Sequence, residues 1–376
     1  MLFDLLYPIF KFKIQFKGIL KMTDSQNLSS SESPIEEQNQ LTETTNVPLN
    51  EEVLTNEVSS GEEKTLSDEE RLKEIAQQKN DLAQEEEELK KKIEQEKLRI
   101  AEPAPIALLD RSWKAEYEAV VGLKHRKPMP PQPCQDAALA VSATDEAPFS
   151  VVISADGAGS CPVSDIGSQR VVSGVYRLIH TLYRSQFNAL DEDIDITDDI
   201  VKRWALILTK HAKGILDDLA KEYRRENKDF CCTLLVGLTG KCHTFWFKVG
   251  DGALVKEVAE RGGDNQIEYK LEHLGDVGKG EYANETVFIS PSLNPDKVQY
   301  GIFKNLNLSG LVTMSDGAAF KLVSNNGQNV ALSLSTLLQN LRENKLLRMH
   351  LTKFFYTEKF LEGHDGDDCS IALIAR

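Results

Sequence analysis

Five aspartates stand where site chemistry could be built: Asp136, Asp156, Asp251, Asp316 and Asp367. Three of them belong to Asp-Gly pairs that follow apolar, β-rich runs. Residues 149–155 run into Asp156-Gly157-Ala158-Gly159, residues 245–249 into Gly250-Asp251-Gly252, and residues 311–314 into Ser315-Asp316-Gly317. Gly366-Asp367-Asp368 instead leads into a last apolar run, 370–375. An apolar strand ending in Asp-Gly sets a carboxylate at a sheet edge beside permissive backbone. Asp-Gly is also a favoured tight-turn dipeptide, so a single copy carries little. Gathered carboxylates repel one another strongly where the dielectric is low. A hard divalent cation, Mg²⁺ or Mn²⁺, held by oxygen ligands and water relieves that repulsion. Two such ions about 3.5–4 Å apart can share a hydroxide and clamp a phosphoryl group for in-line attack. The residues alone leave two readings open: metal-assisted phosphoryl chemistry, or aspartates that only make turns.

The elements that must position these side chains are legible as texture. Apolar, β-rich runs recur at 116–121, 137–141, 149–155, 232–238, 244–249, 286–290, 311–314 and 370–375. Helical patterns lie near 164–187, 197–225, 330–344 and 348–361. Strand-rich stretches flanking helices predict sheets packed together and covered by helices, an α+β architecture. Apolar residues make up 41% of the 376-residue chain, enough for a sizeable core.

The remainder reads as an extension. The formal net charge is −15, and most of it lies in residues 23–105, with 22 Asp/Glu against 9 Lys/Arg. No basic face of the kind nucleic acid needs is evident. Residues 1–65 read as a disordered acidic leader, too poor in large apolar groups to offset chain entropy. Within it, Met1 to Leu20 fits neither a signal peptide nor a membrane span. Met22 is the expected translation start, and an interfacial amphipathic segment is the other reading. Residues 66–105 read as a charged helix or short coiled coil. The helix-start signature Ser67-Asp68-Glu69-Glu70 precedes apolar residues in heptad register at Leu72, Ile75, Leu82, Leu89, Ile93 and Ile100. Residues 66–100 could pair two chains or take a partner helix. Six cysteines without C-x-x-C spacing read as free thiols, which points to a reducing, cytoplasmic setting.

Asp156-Gly157-Ala158-Gly159-Ser160, Gly250-Asp251-Gly252, Ser315-Asp316-Gly317 and Asp367-Asp368-Cys369-Ser370 occur in the order and context of the type 2C, metal-dependent protein phosphatases. Upstream, Gly122-Leu123-Lys124-His125 and Pro133-Cys134-Gln135-Asp136-Ala137 resemble the opening segment of a mostly bacterial branch. The resemblance covers roughly residues 113–376, so 106–376 is expected to form the phosphatase-like domain. It implies a four-layer α-β-β-α sandwich of two antiparallel sheets flanked by helices, with metals at one end. It further implies two Mn²⁺ or Mg²⁺ ions, with a possible third. Asp156 would bridge the two ions and Gly157 would bind one through its carbonyl. Asp316 and Asp367 would complete the ligand set of the second ion, Asp136 would hold metal-bound water, and Asp251 would share the weaker third site with Asp316. The implied reaction is attack by a metal-bridging hydroxide on phosphoserine or phosphothreonine in a protein. The alternative is a catalytically weak phosphoprotein-binding scaffold on the same fold.

Two positions depart from the family pattern. Ala158 stands where many relatives carry a histidine that could serve as general acid. Pro131 stands where relatives often carry a phosphate-gripping arginine. Arg126, His125 and Lys127 are the substitutes for that grip, with Arg126 preferred for its bidentate guanidinium. Three further features have ordinary readings. Asp191-Glu192-Asp193-Ile194-Asp195 fails as a calcium loop, with Ile196 and Lys202 where glycine and glutamate are needed. His364 reads as a loop or capping residue in preference to a proton carrier. Cys134, Cys161 and Cys369 read as packing residues in preference to redox sensors.

Overall fold

The computed structural model describes residues 112–263, 266–276 and 286–376, with helical residues 73, 77, 79–81, 83, 84 and 86–92. The chain divides into two units, Met1–Glu85 and Glu86–Arg376. The expected acidic leader 1–65 and the Met1–Leu20 segment lie outside the described residues. So do the seam positions Leu72, Ile75, Leu82, Ile93 and Ile100, whereas Leu89 is 59% exposed. Among the described residues no helix is long and apolar enough to cross a membrane.

Alternation along the strands explains the layers of the second unit. In β3 (Ser150–Asp156), Val151, Ile153 and Ala155 face one apolar cluster and Val152 faces another. The period-two geometry of a strand forces this split. The same division runs through β4 (Leu234–Thr239), where Leu234, Val236 and Leu238 oppose Leu235. It recurs in β10 (Cys369–Ala375), where Ile371, Leu373 and Ala375 oppose Ala372 and Ile374. Strands apolar on both faces belong between two layers.

Five strands make each sheet. One has the order β1 (Lys114–Val120), β10, β9 (Leu308–Met314), β6 (Ala253–Arg261), β7 (Ile267–His273). The other has β2 (Asp136–Val141), β3, β4, β5 (His243–Val249), β8 (Gln299–Lys304). Every pairing is antiparallel. A small cluster that includes Val152, Leu235, Leu254, Leu311 and Ile374 fills the space between the sheets. Two long helices, α2 (Ser164–Leu182) and α3 (Asp198–Tyr223), cover the second sheet through Val171, Val175, Ile179, Trp204, Leu208 and Leu216. The first sheet is covered by α4 (Asp316–Leu322), α5 (Leu332–Arg342), α6 (Arg348–Phe355) and α7 (Glu358–Leu361). A short helix, α1 (Leu123–Arg126), follows β1. The four-layer α-β-β-α sandwich is the observed architecture.

Three strands differ from the sequence expectation. β6, β7 and β8 carry charged or polar residues through much of their length, which hides their pattern. β7 and β8 are edge strands and tolerate exposure. The expected run 286–290 makes only an isolated bridge, Ile289 to Cys232. The pattern 348–361 divides into α6 and α7 at Thr357, whose hydroxyl caps α7 by accepting from Phe360 N.

Antiparallel connectivity decides where the acids gather. β3, β5 and β9 finish at the end of the sandwich where β2, β4, β6 and β10 begin. Asp156, Asp251 and Asp316 close the first group, while Asp136 and Asp367 introduce members of the second.

Candidate active site

Asp136 and Asp156 are direct cross-strand partners in the β2–β3 register. Opposed residues of an antiparallel pair share a face, their Cβ atoms about 4.5–5.5 Å apart, so like charges there repel. The Asp156 backbone is pinned on both sides. Its N–H donates to the Thr233 hydroxyl at 2.8 Å, and its carbonyl accepts from Thr233 N at 2.7 Å. Gly157 continues the line, donating to the Gln135 carbonyl at 3.0 Å. A Cβ on Gly157 would come within 2.8 Å of Ser164, so the first turn of α2 requires glycine here.

Asp316 opens α4, and Ser315 before it is locked onto β10. The Ser315 hydroxyl accepts from Ser370 N at 2.9 Å, and Ser315 N donates to the Ser370 carbonyl at 3.1 Å. Asp251 sits in the β5–β6 link and accepts a 2.6 Å hydrogen bond from the Thr286 hydroxyl. Beside Asp251 and Asp316 lies a cavity of about 150 Å³, also lined by His273, Phe320, Asn325 and Asp365. Asp367 lies at the rim, with its side chain 30% exposed.

Burial and mutual repulsion show in the protonation equilibria. Asp136 is 3% exposed, and neither of its carboxylate oxygens has a hydrogen-bond partner. Burial first, then the Asp368 and Asp316 charges, push its pKa up to about 8, with the nearby Ser315 hydroxyl acting against the rise. Asp156 is held well above the carboxylate range by burial, then by Asp136 and Asp316. Asp316 is pushed up to about 6 by burial, then by Asp251. Three carboxyls driven toward the neutral form at one place mark a site that lacks positive charge.

A divalent cation fits this donor set. Among the described residues no three His, Cys, Asp or Glu side chains close on a single point. Mg²⁺ and its like usually take one or two carboxylates and keep several waters, which matches carboxylates that do not all converge on one point. Two orphaned oxygens on buried Asp136 call for a water or cation partner.

Residues 122–356 match the family model described as protein phosphatase 2C. The chain belongs to the protein phosphatase 2C family. It is 28% identical over 181 residues to serine/threonine-protein phosphatase 3 of Escherichia coli K12, a stretch covering 48% of this chain and 63% of that protein. A serine-threonine phosphatase 2C structure from Toxoplasma gondii aligns with a TM-score of 0.48 at 12% identity, covering 73% of this chain and 97% of that one. A serine/threonine phosphatase structure from Staphylococcus aureus aligns with a TM-score of 0.45 at 14% identity, covering 70% and 94%.

Within this phosphatase 2C domain, the residues expected to grip phosphate lie in different settings. His125 is buried, with Nδ1 2.9 Å from Asp368 Oδ1 and Nε2 3.6 Å from Asp367 Oδ1. The Nδ1 contact is close but lies off the line of a ring hydrogen bond. Both ring nitrogens face carboxylates, which leaves none for a substrate phosphate, so His125 supports the loop. Arg126 is exposed, but its guanidinium stacks over Tyr356 at 4.7 Å and donates to the Tyr356 hydroxyl. Tyr356 in turn donates to the Val121 carbonyl at 2.8 Å.

Sequence reasoning passed over Asp368 and Lys124. Asp368 is 3% exposed and accepts from Gly122 N and Gln135 N, both at 2.6 Å. It therefore ties the loop carrying Asp367 to those leading into α1 and to Asp136. Its only sequence signal was the doubled aspartate. Lys124 places Nζ 3.3 Å from Asp367 Oδ2. His364 accepts from Gly366 N at Nδ1 and faces the Gly317 carbonyl from Nε2, both at 2.9 Å, so it is a loop brace. Burial pushes the thiols of Cys134 and Cys369 far up, which keeps them protonated and poorly reactive. In the acidic loop, Asp191 accepts from the Tyr183 hydroxyl at 2.9 Å and Lys241 N at 2.8 Å, a structural use.

Proposed function

We propose that this chain is a divalent-metal-dependent protein phosphatase that hydrolyses phosphoserine and phosphothreonine directly. The observation that supports the reading most is the buried cluster Asp136, Asp156 and Asp316, each carboxyl raised by burial and then by its neighbours, in the order of the family's motifs. The carboxylates of Asp156, Asp316 and Asp367 and the carbonyl of Gly157 would hold two ions, with Asp251 and Asp316 toward a third. Mn²⁺ and Mg²⁺ both suit such oxygen donors. When bound, the ions supply Lewis acidity, lowering the pKa of water and neutralising charge on the phosphoryl oxygens.

The chain's own residues do the rest. Asp156 and Asp316, fixed by Thr233 and by the Ser315–Ser370 lock, set the spacing of the acids to which the phosphoryl group must be presented. Asp136 offers two acceptor oxygens to water beside Asp156. Ala158 provides no proton donor, so the leaving alkoxide takes its proton from solvent at the open mouth. Residues 66–100 would act outside this chemistry, pairing two chains or docking a partner helix, and a reducing cytoplasm is the setting we assign.

Phosphate release from a phosphothreonine peptide and an aryl phosphate, with Mn²⁺ and with chelator, tests the proposal. Mn²⁺-dependent release from the peptide is expected; no release from either compound would sink it.

A further inference from the structure

α1 is bolted to the loop that carries Asp367. Gly122 N donates to Asp368 Oδ1 at 2.6 Å, Lys124 N donates to the Gly366 carbonyl at 2.8 Å, and His125 wedges between Asp367 and Asp368. A Cβ on Gly122 would lie 2.2 Å from the Asp367 carbonyl, so the two segments touch backbone to backbone. The root of the Lys124 side chain is therefore fixed while its tip stays in solvent, 60% exposed. From there Nζ reaches Asp367 Oδ2 at 3.3 Å. The charges that act on it are those of Asp367, Asp365 and Asp316. Arg126, two residues on, is turned away onto Tyr356.

We propose that Lys124 serves two anions in turn: Asp367 before metal loading, and the substrate phosphate once a divalent cation takes Asp367. This rests on the phosphatase reading above. A cation bound by Asp367 removes the counter-charge of the ammonium and adds a positive charge beside it. The flexible four-carbon stem lets Nζ move a few ångströms while α1 stays anchored. A phosphate dianion arriving at the ions restores a partner at the same rim, through a charge-assisted hydrogen bond. Lys124 thus supplies the cationic contact that Pro131 cannot. It also competes with the metal for one ligand.

The test uses the full chain and the variants Lys124→Met and Lys124→Arg, with thermal melts to show that both fold. Calorimetric titration of Mn²⁺ into metal-free protein at low ionic strength should show Lys124→Met binding about fivefold more tightly than wild type, the size expected for losing an exposed ion pair. High salt should shrink that difference. Inorganic phosphate should bind the Mn²⁺-loaded Met variant about tenfold more weakly, as for a lost hydrogen bond to a charged group. The KM for a phosphothreonine peptide should rise by more than kcat falls, and Lys124→Arg should recover it. Equal or weaker Mn²⁺ binding by the Met variant, or unchanged phosphate binding and KM, overturns the proposal. A wild type that binds Mn²⁺ yet hydrolyses no phosphoester overturns the phosphatase reading instead. Calorimetry then still decides whether Lys124 competes for Asp367.

Discussion

Replacing Asp136 by Asn should make the metal-free protein more stable while weakening its hold on metal. Asp136 is 3% exposed and both of its oxygens lack partners. Its pKa rises from an ordinary 3.8 to about 8, so the folded state holds a proton that the unfolded chain gives up. For a carboxyl raised in this way, the folded state is favoured at low pH. That advantage is lost as pH climbs from 3.8 toward 8. At pH 7 roughly three pH units lie above the ordinary value, which at about 1.36 kcal/mol each amounts to an upper limit on the order of 4 kcal/mol. Asn keeps the shape, never ionises, and can donate to the neighbouring carboxylates. In chelator at pH 7 the variant should therefore melt higher than wild type, by up to roughly 10 °C for a domain of this size. At pH 4 the gap should close. Added Mn²⁺ should raise the wild-type melting temperature more than the variant's. A variant that melts no higher than wild type in chelator at pH 7, or a gap that persists at pH 4, refutes the electrostatic reasoning.

Four other outcomes follow from the same geometry. Asp156→Asn and Asp316→Asn should each lower Mn²⁺-dependent turnover by at least about a hundredfold, the scale of removing one electrostatic stabiliser, with circular dichroism unchanged. Wild-type protein in chelator should lose thermal stability as pH climbs from about 4 to 8, because Asp316 and Asp136 are raised from 3.8 to about 6 and 8; saturating Mn²⁺ should flatten that slope. Glu257 is fully buried on β6, accepting from Ser309 and Ser335 and paired with Arg342. Arg342→Ala should cost about 3–5 kcal/mol in denaturant unfolding by leaving that charge unpaired, while activity per folded molecule holds. Tyr356→Phe should release Arg126 with little change in KM if Lys124 makes the phosphate contact; a large KM change would return that contact to Arg126.

Much of this molecule could be read from its residues. Continuous apolar runs ending in Asp-Gly revealed the strands that carry Asp156, Asp251 and Asp316, because a buried strand and a tight turn both leave local signatures. β6, β7 and β8 lack such continuous runs, and β7 only alternates Ile267, Tyr269 and Leu271 with Glu268, Lys270 and Glu272. Their solvent-facing positions carry charges such as Lys256, Glu260 and Glu268, and an edge strand needs only one apolar face. Motif order likewise disclosed which aspartates belong together and the family to which the chain belongs.

Tertiary structure alone decided how those acids and their neighbours divide the work. Asp367 and Asp368 are adjacent and identical in type, yet one stands at the rim and the other is buried as a clamp between three loops. Arg126, His125 and Lys124 lie within three residues, and local chemistry favoured the guanidinium for phosphate. Folding turned Arg126 onto Tyr356, enclosed His125 between two carboxylates, and left Lys124 beside Asp367. The reason is physical: a residue's type and its turn are local properties. Which charges it meets depends on segments more than two hundred positions away, brought to one end of the sandwich by strand pairing.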